Sequence, residues 1–246
     1  MDEKGNPPPE ATHASRTHAF GGHEDSLATR AFGVSFLSLI AWLAFTQADV
    51  RWVFLITQAV ILSTIYLSIT VITGFAGQIS LCQGAFAAIG GFTVFQMADR
   101  YDTSVLAAAV IGAVIAAVVG ALLSLPVLRL GGIWLAIATL AFAFFFDSVM
   151  VKFSWVGGGE TSLLQGTRVP RPVLGPWDFD NDRSFLALAI VVFALVSVAV
   201  IQLREGTIGR TLRALRGSEV AAESIGISPA KARIIAFAVS AFIAGL

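Results

Sequence analysis

Few side chains in this sequence could do covalent chemistry. His13, His18 and His23 are the only histidines, and they stand five residues apart near the start of the chain. That spacing puts no two on one helix face and no cysteine accompanies them, so they read as part of a solvated tail and not as metal ligands. No histidine is left in the remainder for acid–base work. Cys82 is the only cysteine, which excludes an internal disulfide framework and a Cys-based zinc site. There is no G-x-x-x-x-G-K-[ST] phosphate loop, no G-x-S-x-G elbow and no H-E-x-x-H pair. Asp178, Asp180 and Asp182 alternate as calcium ligands would, but the glycine and glutamate of an EF-hand loop are missing. A solvated loop, or a docking surface for an outside protein, fits them better. The residues describe a non-catalytic chain without cofactor or metal. If it moves a solute, the energy comes from a partner.

Two groups of residues carry recognition instead. The first lies in REGTIGRTLRALRGSEVAAESIGISPAKAR, residues 204–233. Arg210, Arg213 and Arg216 recur every third position, which predicts a helix. Ser218 suits the N-cap of a second helix over 219–225, with Glu219 and Glu223 in its early turns. Ala221, Ala222 and Ile225 give that helix a small apolar face. Gly226 stands where a helix end demands positive φ, and Pro229 suits the first turn of the next helix. The segment therefore predicts two short helices at the membrane surface. They read either as a docking element for a soluble partner or as a basic loop held by anionic lipid. The second group is polar residues inside apolar stretches: Gln78, Ser80, Gln83, Thr139 and Asp147. These are candidates to line a translocation pathway. Asp147 has a second reading, in which it reaches the headgroups and is neutralised by Lys152.

The elements that position these residues must be membrane helices. The chain has 246 residues, of which 56% are apolar and 13% charged, and its net charge is zero. Soluble domains carry about 25% charged residues. Disorder, a collagen-like fibre and an ordinary soluble domain are excluded, and a nucleic-acid binder lacks its basic excess. Apolar runs occupy 31–48, 52–73, 79–98, 104–125, 131–151, 184–203 and 232–246. About 20 helical residues cross a ~30 Å hydrocarbon core. Of all Asp, Glu, Lys and Arg residues, only Asp147 and Arg233 fall inside the runs. The fold class is therefore all-α, a polytopic transmembrane bundle of about six or seven spans. The last run is short, which reads as a cut span or as a tilted or interfacial helix. Gly84, Gly90, Gly91, Gln78 and Gln83 make the stretch 74–98 the place for a broken or re-entrant helix. Ala108, Gly112, Ala116, Gly120 and Ser124 form a small-residue stripe, read as tight packing within the bundle before a dimer seam.

Residues 1–30 read as a disordered tail opening on Pro7, Pro8 and Pro9, followed by one membrane domain over 31–246. With the N-terminus inside, inner loops hold ten Lys and Arg residues against six in outer loops. The cluster at 204–233 thus prefers the cytoplasm, and 152–183 becomes the long outer loop. That loop carries Gly157, Gly158, Gly159, Pro170, Pro172 and Pro176, flanked by Trp155 and Trp177.

Several stretches, in order, resemble the LivM-type permeases, the membrane subunits of branched-chain amino-acid ABC importers. They are TGFAGQISLCQGAFAAIGGFT (73–93), LPVLRLGGIWLAIATLAFA (125–143), VGGGETSL (156–163) and the whole of 207–246. The resemblance covers about 52–246. It implies a subunit without ATPase activity, paired with a second permease, cytoplasmic ATPases and an extracytoplasmic binding protein in the inner membrane. The family's E-A-A…G coupling pattern falls on Val220, Ala221, Ala222 and Gly226, so Val220 replaces the leading glutamate while Glu219 and Glu223 stand on either side. Family members continue past residue 246, which favours a truncated chain. Apolar amino acids are the expected solutes. Sugars or small amides, and a truncated membrane protein without transport activity, are the alternatives.

Overall fold

A computed structural model describes residues 35, 49–101, 103–128, 130, 132–149, 173–174, 177–178 and 181–246. The chain divides into two units, Met1–Thr46 and Gln47–Leu246, and the second holds the helical bundle. The proposed tail, the first apolar run apart from residue 35, Lys152 and most of the long loop, including its glycines and prolines, lie outside the described residues.

Eight α-helices are described: α1 (Val50–Ile69), α2 (Gln83–Tyr101), α3 (Val105–Val127), α4 (Ile133–Ser148), α5 (Asp182–Glu205), α6 (Thr207–Gly217), α7 (Glu219–Ser224) and α8 (Pro229–Gly245). A two-residue antiparallel pair, Val173–Leu174 with Trp177–Asp178, is the only sheet among the described residues. The expected all-α bundle is what forms. Three helical stretches are long and apolar enough to cross a membrane, at 50–75, 105–126 and 182–205, and α4 is a shorter apolar helix. Their outward faces carry Trp52, Tyr66, Phe144 and Leu195, all more than half exposed, as lipid-facing residues should be.

The core is built where small residues let backbones meet. α3 lies along both α8 and α2. A methyl on Gly120 would stand 2.6 Å from the Ala241 Cβ, and one on Gly112 would stand 2.9 Å from the Gly90 carbonyl oxygen. Ala108 and Ala116 are fully buried. The small-residue stripe is thus spent on packing inside the bundle. α8 packs inside the bundle: eight of its residues are buried, from Ala232 to Gly245, and it lies against α1, α2, α3 and α6.

The helix break lies at 76–82, between α1 and α2. α1 first loosens into a π-helical segment, Thr70–Phe75, and the chain then turns at Gly77, whose φ of +67° suits glycine. Non-helical backbone at membrane depth must find its hydrogen bonds within the protein. Here Gln78 N–H donates to the Ile72 carbonyl at 3.1 Å, Thr73 Oγ1 donates to the Gln78 carbonyl at 3.1 Å, and Leu81 N–H donates to Thr139 Oγ1 at 3.0 Å.

Candidate functional site

The 204–233 loop folds by local rules. Gly206 ends α5 and begins α6, and Gly209 sits so close to it that a methyl would stand 2.2 Å from the Leu203 carbonyl oxygen. Ser218 caps α7, its hydroxyl accepting from Ala221 N–H at 3.3 Å. α7 closes in a Schellman motif: Ile227 N–H donates to the Ala222 carbonyl at 3.0 Å and Gly226 N–H to the Glu223 carbonyl at 2.9 Å. Gly226 has φ +85°, the conformation that its position in the sequence demands. Pro229 then opens α8.

Each face of this loop has its own task. Leu212 and Leu215 on α6 are buried with Ala76, Ala232 and Ala236, which seats the loop on α8 and on the start of the break. The apolar face expected on α7 divides. Ala222 is buried, whereas Val220 and Ile225 are 79% and 72% exposed and Ala221 is exposed with them. Residues 221 and 225 share a face because they are four apart, and Ala222 lies about 100° further round the helix.

The charged residues divide likewise. Arg213 folds back, donating to the Arg204 carbonyl at 3.0 Å and the Gly209 carbonyl at 3.3 Å. Arg216 donates to the carbonyl of Gly74 in the π-helical segment, so α6 is tied to the irregular end of α1. Arg233, which the spacing of the loop arginines does not single out, is the hub. One of its Nη atoms reaches both oxygens of Glu219 at 2.9 Å, and the other donates to the Leu128 carbonyl at the end of α3. The side chains of Arg210 and Glu223 are exposed and have no partner among the described residues.

The polar residues within the membrane runs do not come together in one place. Gln83 lies in a buried ring: Ser68 Oγ donates to Gln83 Oε1 at 3.0 Å, Gln83 Nε2 to Ser240 Oγ at 3.0 Å, and Ser240 Oγ to the Ser68 carbonyl at 2.8 Å. This ring pins α1, α2 and α8 to one another. Ser68 and Ser240 are not among the residues that sequence reasoning singles out; a serine in an otherwise apolar run is the available signal. Thr139 serves the break by receiving Leu81 N–H. Ser80 Oγ lies 3.2 Å from the Sγ of buried Cys82. Asp147 is exposed in the last turn of α4. Only Gln78 meets the loop: it lines a cavity of about 260 Å³ together with Arg216, Glu219 and Arg233.

A helical membrane protein with a broken helix pair and a capped two-helix surface loop is what this fold and site define. The family model for the permease component of branched-chain amino acid transport systems matches residues 52–246, and the chain belongs to that family. It is 32% identical, over 80% of its length, to the high-affinity branched-chain amino acid transport system permease protein LivM of Escherichia coli K12, and 31% identical over the same share to LivM of Salmonella typhimurium. It spans about half, 53%, of each of those relatives. No solved structure matches it.

Proposed function

We propose that the chain is a membrane-spanning permease subunit of an ATP-binding-cassette importer for branched-chain and other apolar amino acids. The subunit is non-catalytic. Partner ATPases dock on 207–233 at the cytoplasmic face, a second permease subunit completes the path, and an extracytoplasmic binding protein delivers solute to the side of loop 152–183. The N-terminus lies in the cytoplasm and the spans cross the inner membrane.

The observation that carries this reading is the two-sided build of α6 and α7. One side is tied to the bundle through Arg216 and Arg233, and the other presents Val220, Ala221 and Ile225 with Arg210 and Glu223 around them. An apolar patch rimmed by charge on a surface loop fits a soluble partner better than lipid. A partner that closes on ATP would displace α7, and the ties would pass that displacement to α3 and to the break. The permease needs only two packings of its spans that differ in access.

The test is recovery of partners. The tagged chain is purified from its own membranes in mild detergent and bound proteins are identified by mass spectrometry, beside an Ile225→Glu variant. An ABC ATPase and a second permease are expected with the wild type, and the ATPase is lost with the variant at an unchanged unfolding temperature. A folded wild-type chain recovered alone would refute the reading.

A further inference from the structure

Three apolar helices end or begin beside the surface loop: α1 with its π-helical segment at Phe75, α3 at Val127 and α4 at Ile133. The ends of spanning helices mark the boundary between hydrocarbon and headgroups. A cavity of about 260 Å³ lies there, bordered by Gln78, Gly132, Leu135, Arg216, Glu219 and Arg233. Its charge is unbalanced. Arg233 is answered by both oxygens of Glu219, whereas Arg216 bonds an uncharged carbonyl and has no ion pair among the described residues. The Arg216 stem crosses Gly77 so closely that a methyl there would stand 2.7 Å from its Cγ, which keeps the guanidinium at the break. Gln78 is 8% exposed. Its Oε1 is sealed from solvent and unpartnered, so the amide N–H groups are what the side chain turns to the cavity, and no described residue accepts from them. The first turn of α4 adds backbone N–H groups, because Gly132 at its N-cap brings no side chain to receive them.

One surplus positive charge ringed by donors calls for an anion with several acceptor oxygens. The surface beside the cavity is apolar: Ile79, Ile133 and Trp134 are each at least half exposed. A tryptophan at this level belongs to the membrane interface. We propose that the cavity holds the phosphate of an anionic phospholipid, whose acyl chains run over Ile79, Ile133 and Trp134. Basic pockets between spanning helices take such headgroups. The volume is several times the ~30 Å³ share of one water, which leaves room for a phosphate and its glycerol. A zwitterionic lipid fits worse, since its ammonium would meet the surplus charge of Arg216. Neither a transported solute nor an ATPase is needed for this site, and the outward patch on α7 takes no part in it. A bound lipid joins the break, α4 and α6, so the lipid composition of the membrane sets how firmly Arg216 is held.

The test is native mass spectrometry of the full chain, purified from its own membranes and stripped of lipid in detergent. Phosphatidylglycerol and phosphatidylcholine with the same acyl chains are added in turn, and inorganic phosphate and glycerol 3-phosphate serve as soluble competitors. One phosphatidylglycerol is expected to bind about fivefold or more tightly than phosphatidylcholine, the worth of one arginine near an anionic headgroup. Gln78→Glu places a carboxylate where the phosphate would sit, and Arg216→Gln removes the surplus charge. Each should abolish the preference at an unchanged unfolding temperature. Arg51→Gln, which alters an exposed arginine at the other end of α1, should keep it. Arg216→Gln alone decides the matter if Gln78→Glu does not fold. A preference that survives both variants, or that falls equally with Arg51→Gln, would mean diffuse attraction to basic surface and overturn the proposal. Displacement of phosphatidylglycerol by either soluble phosphate at equal concentration would make the site one for free phosphate, and would overturn its assignment to lipid.

Discussion

The seam where α2, α3 and α8 meet and the attachment of the α6–α7 loop hold the same molecule by opposite means. In the seam, backbones touch through Gly112, Gly120 and Gly245, and Ala116 fills what space is left. The loop is fastened by long side chains that reach across gaps: Arg216 to Gly74, Arg233 to Glu219 and Leu128. Lipid gives helices no hydrophobic reason to associate, so the seam must rely on close packing. At the surface, exposed ion pairs add little stability, but they can fix direction. Strength therefore belongs to the seam, and geometry to the loop.

The largest effect should come from crowding the seam. Gly90→Leu would drive a Cβ to within 1.9 Å of the Gly245 carbonyl oxygen, where only backbone can give way. Overpacking costs about 1–3 kcal/mol and more where backbone resists, so loss of the folded bundle is expected. Cys82, fully buried and the chain's only cysteine, is the reporter, because its maleimide labelling should change from very slow to rapid. Slow labelling in the variant would mean that the seam is looser than its geometry.

Breaking the polar ring comes next. Gln83→Leu leaves Ser68 and Ser240 buried without their amide partner, at a cost of about 1–3 kcal/mol. A lowered unfolding temperature in detergent is expected, and Gln83→Glu should recover only part of it, since its carboxylate cannot donate to Ser240 as the amide does.

For the loop the prediction reverses. Glu219→Gln removes a half-exposed ion pair and should change stability by no more than about 1 kcal/mol. Recovery of the ATPase in the pull-down should nevertheless fall, because α7 loses its tie to α8. Equal losses of stability and of partner would erase the contrast between seam and loop. The smallest effect on stability belongs to Val220→Ser, at about 0.5 kcal/mol or less, since the side chain is 79% exposed. Its unfolding temperature should match the wild type while ATPase retention drops.

How legible each region is in the sequence follows the range of its interactions. Ser218, Gly226 and Pro229 act within a few residues of themselves, and each takes the position its chemistry requires. Glycines and glutamines mark the break, but its location at 76–82 depends on Thr139 receiving Leu81 N–H from 58 residues away. Gln83 stands out in the sequence as an odd polar residue and reads as a pathway candidate; its partner Ser240 is 157 residues distant, and no local pattern encodes that distance. The face of α7 reads as one patch because alanine gives no hint of its direction. Burial of Ala222 beside exposed Ala221 is a property of the surface α7 rests on.

The position of α8 has a consequence for the order of synthesis. It comes after the other described helices along the chain, yet it packs among α1, α2, α3 and α6. Chains emerge from the ribosome N-terminal end first. While α1 to α5 enter the bilayer, the groove of Ala113, Ala116 and Gly120 has no helix to receive, and Gln83 has no Ser240. The early bundle is thus an open clasp with its polar catch facing the gap, and the arrival of one late helix both fills the groove and closes the catch.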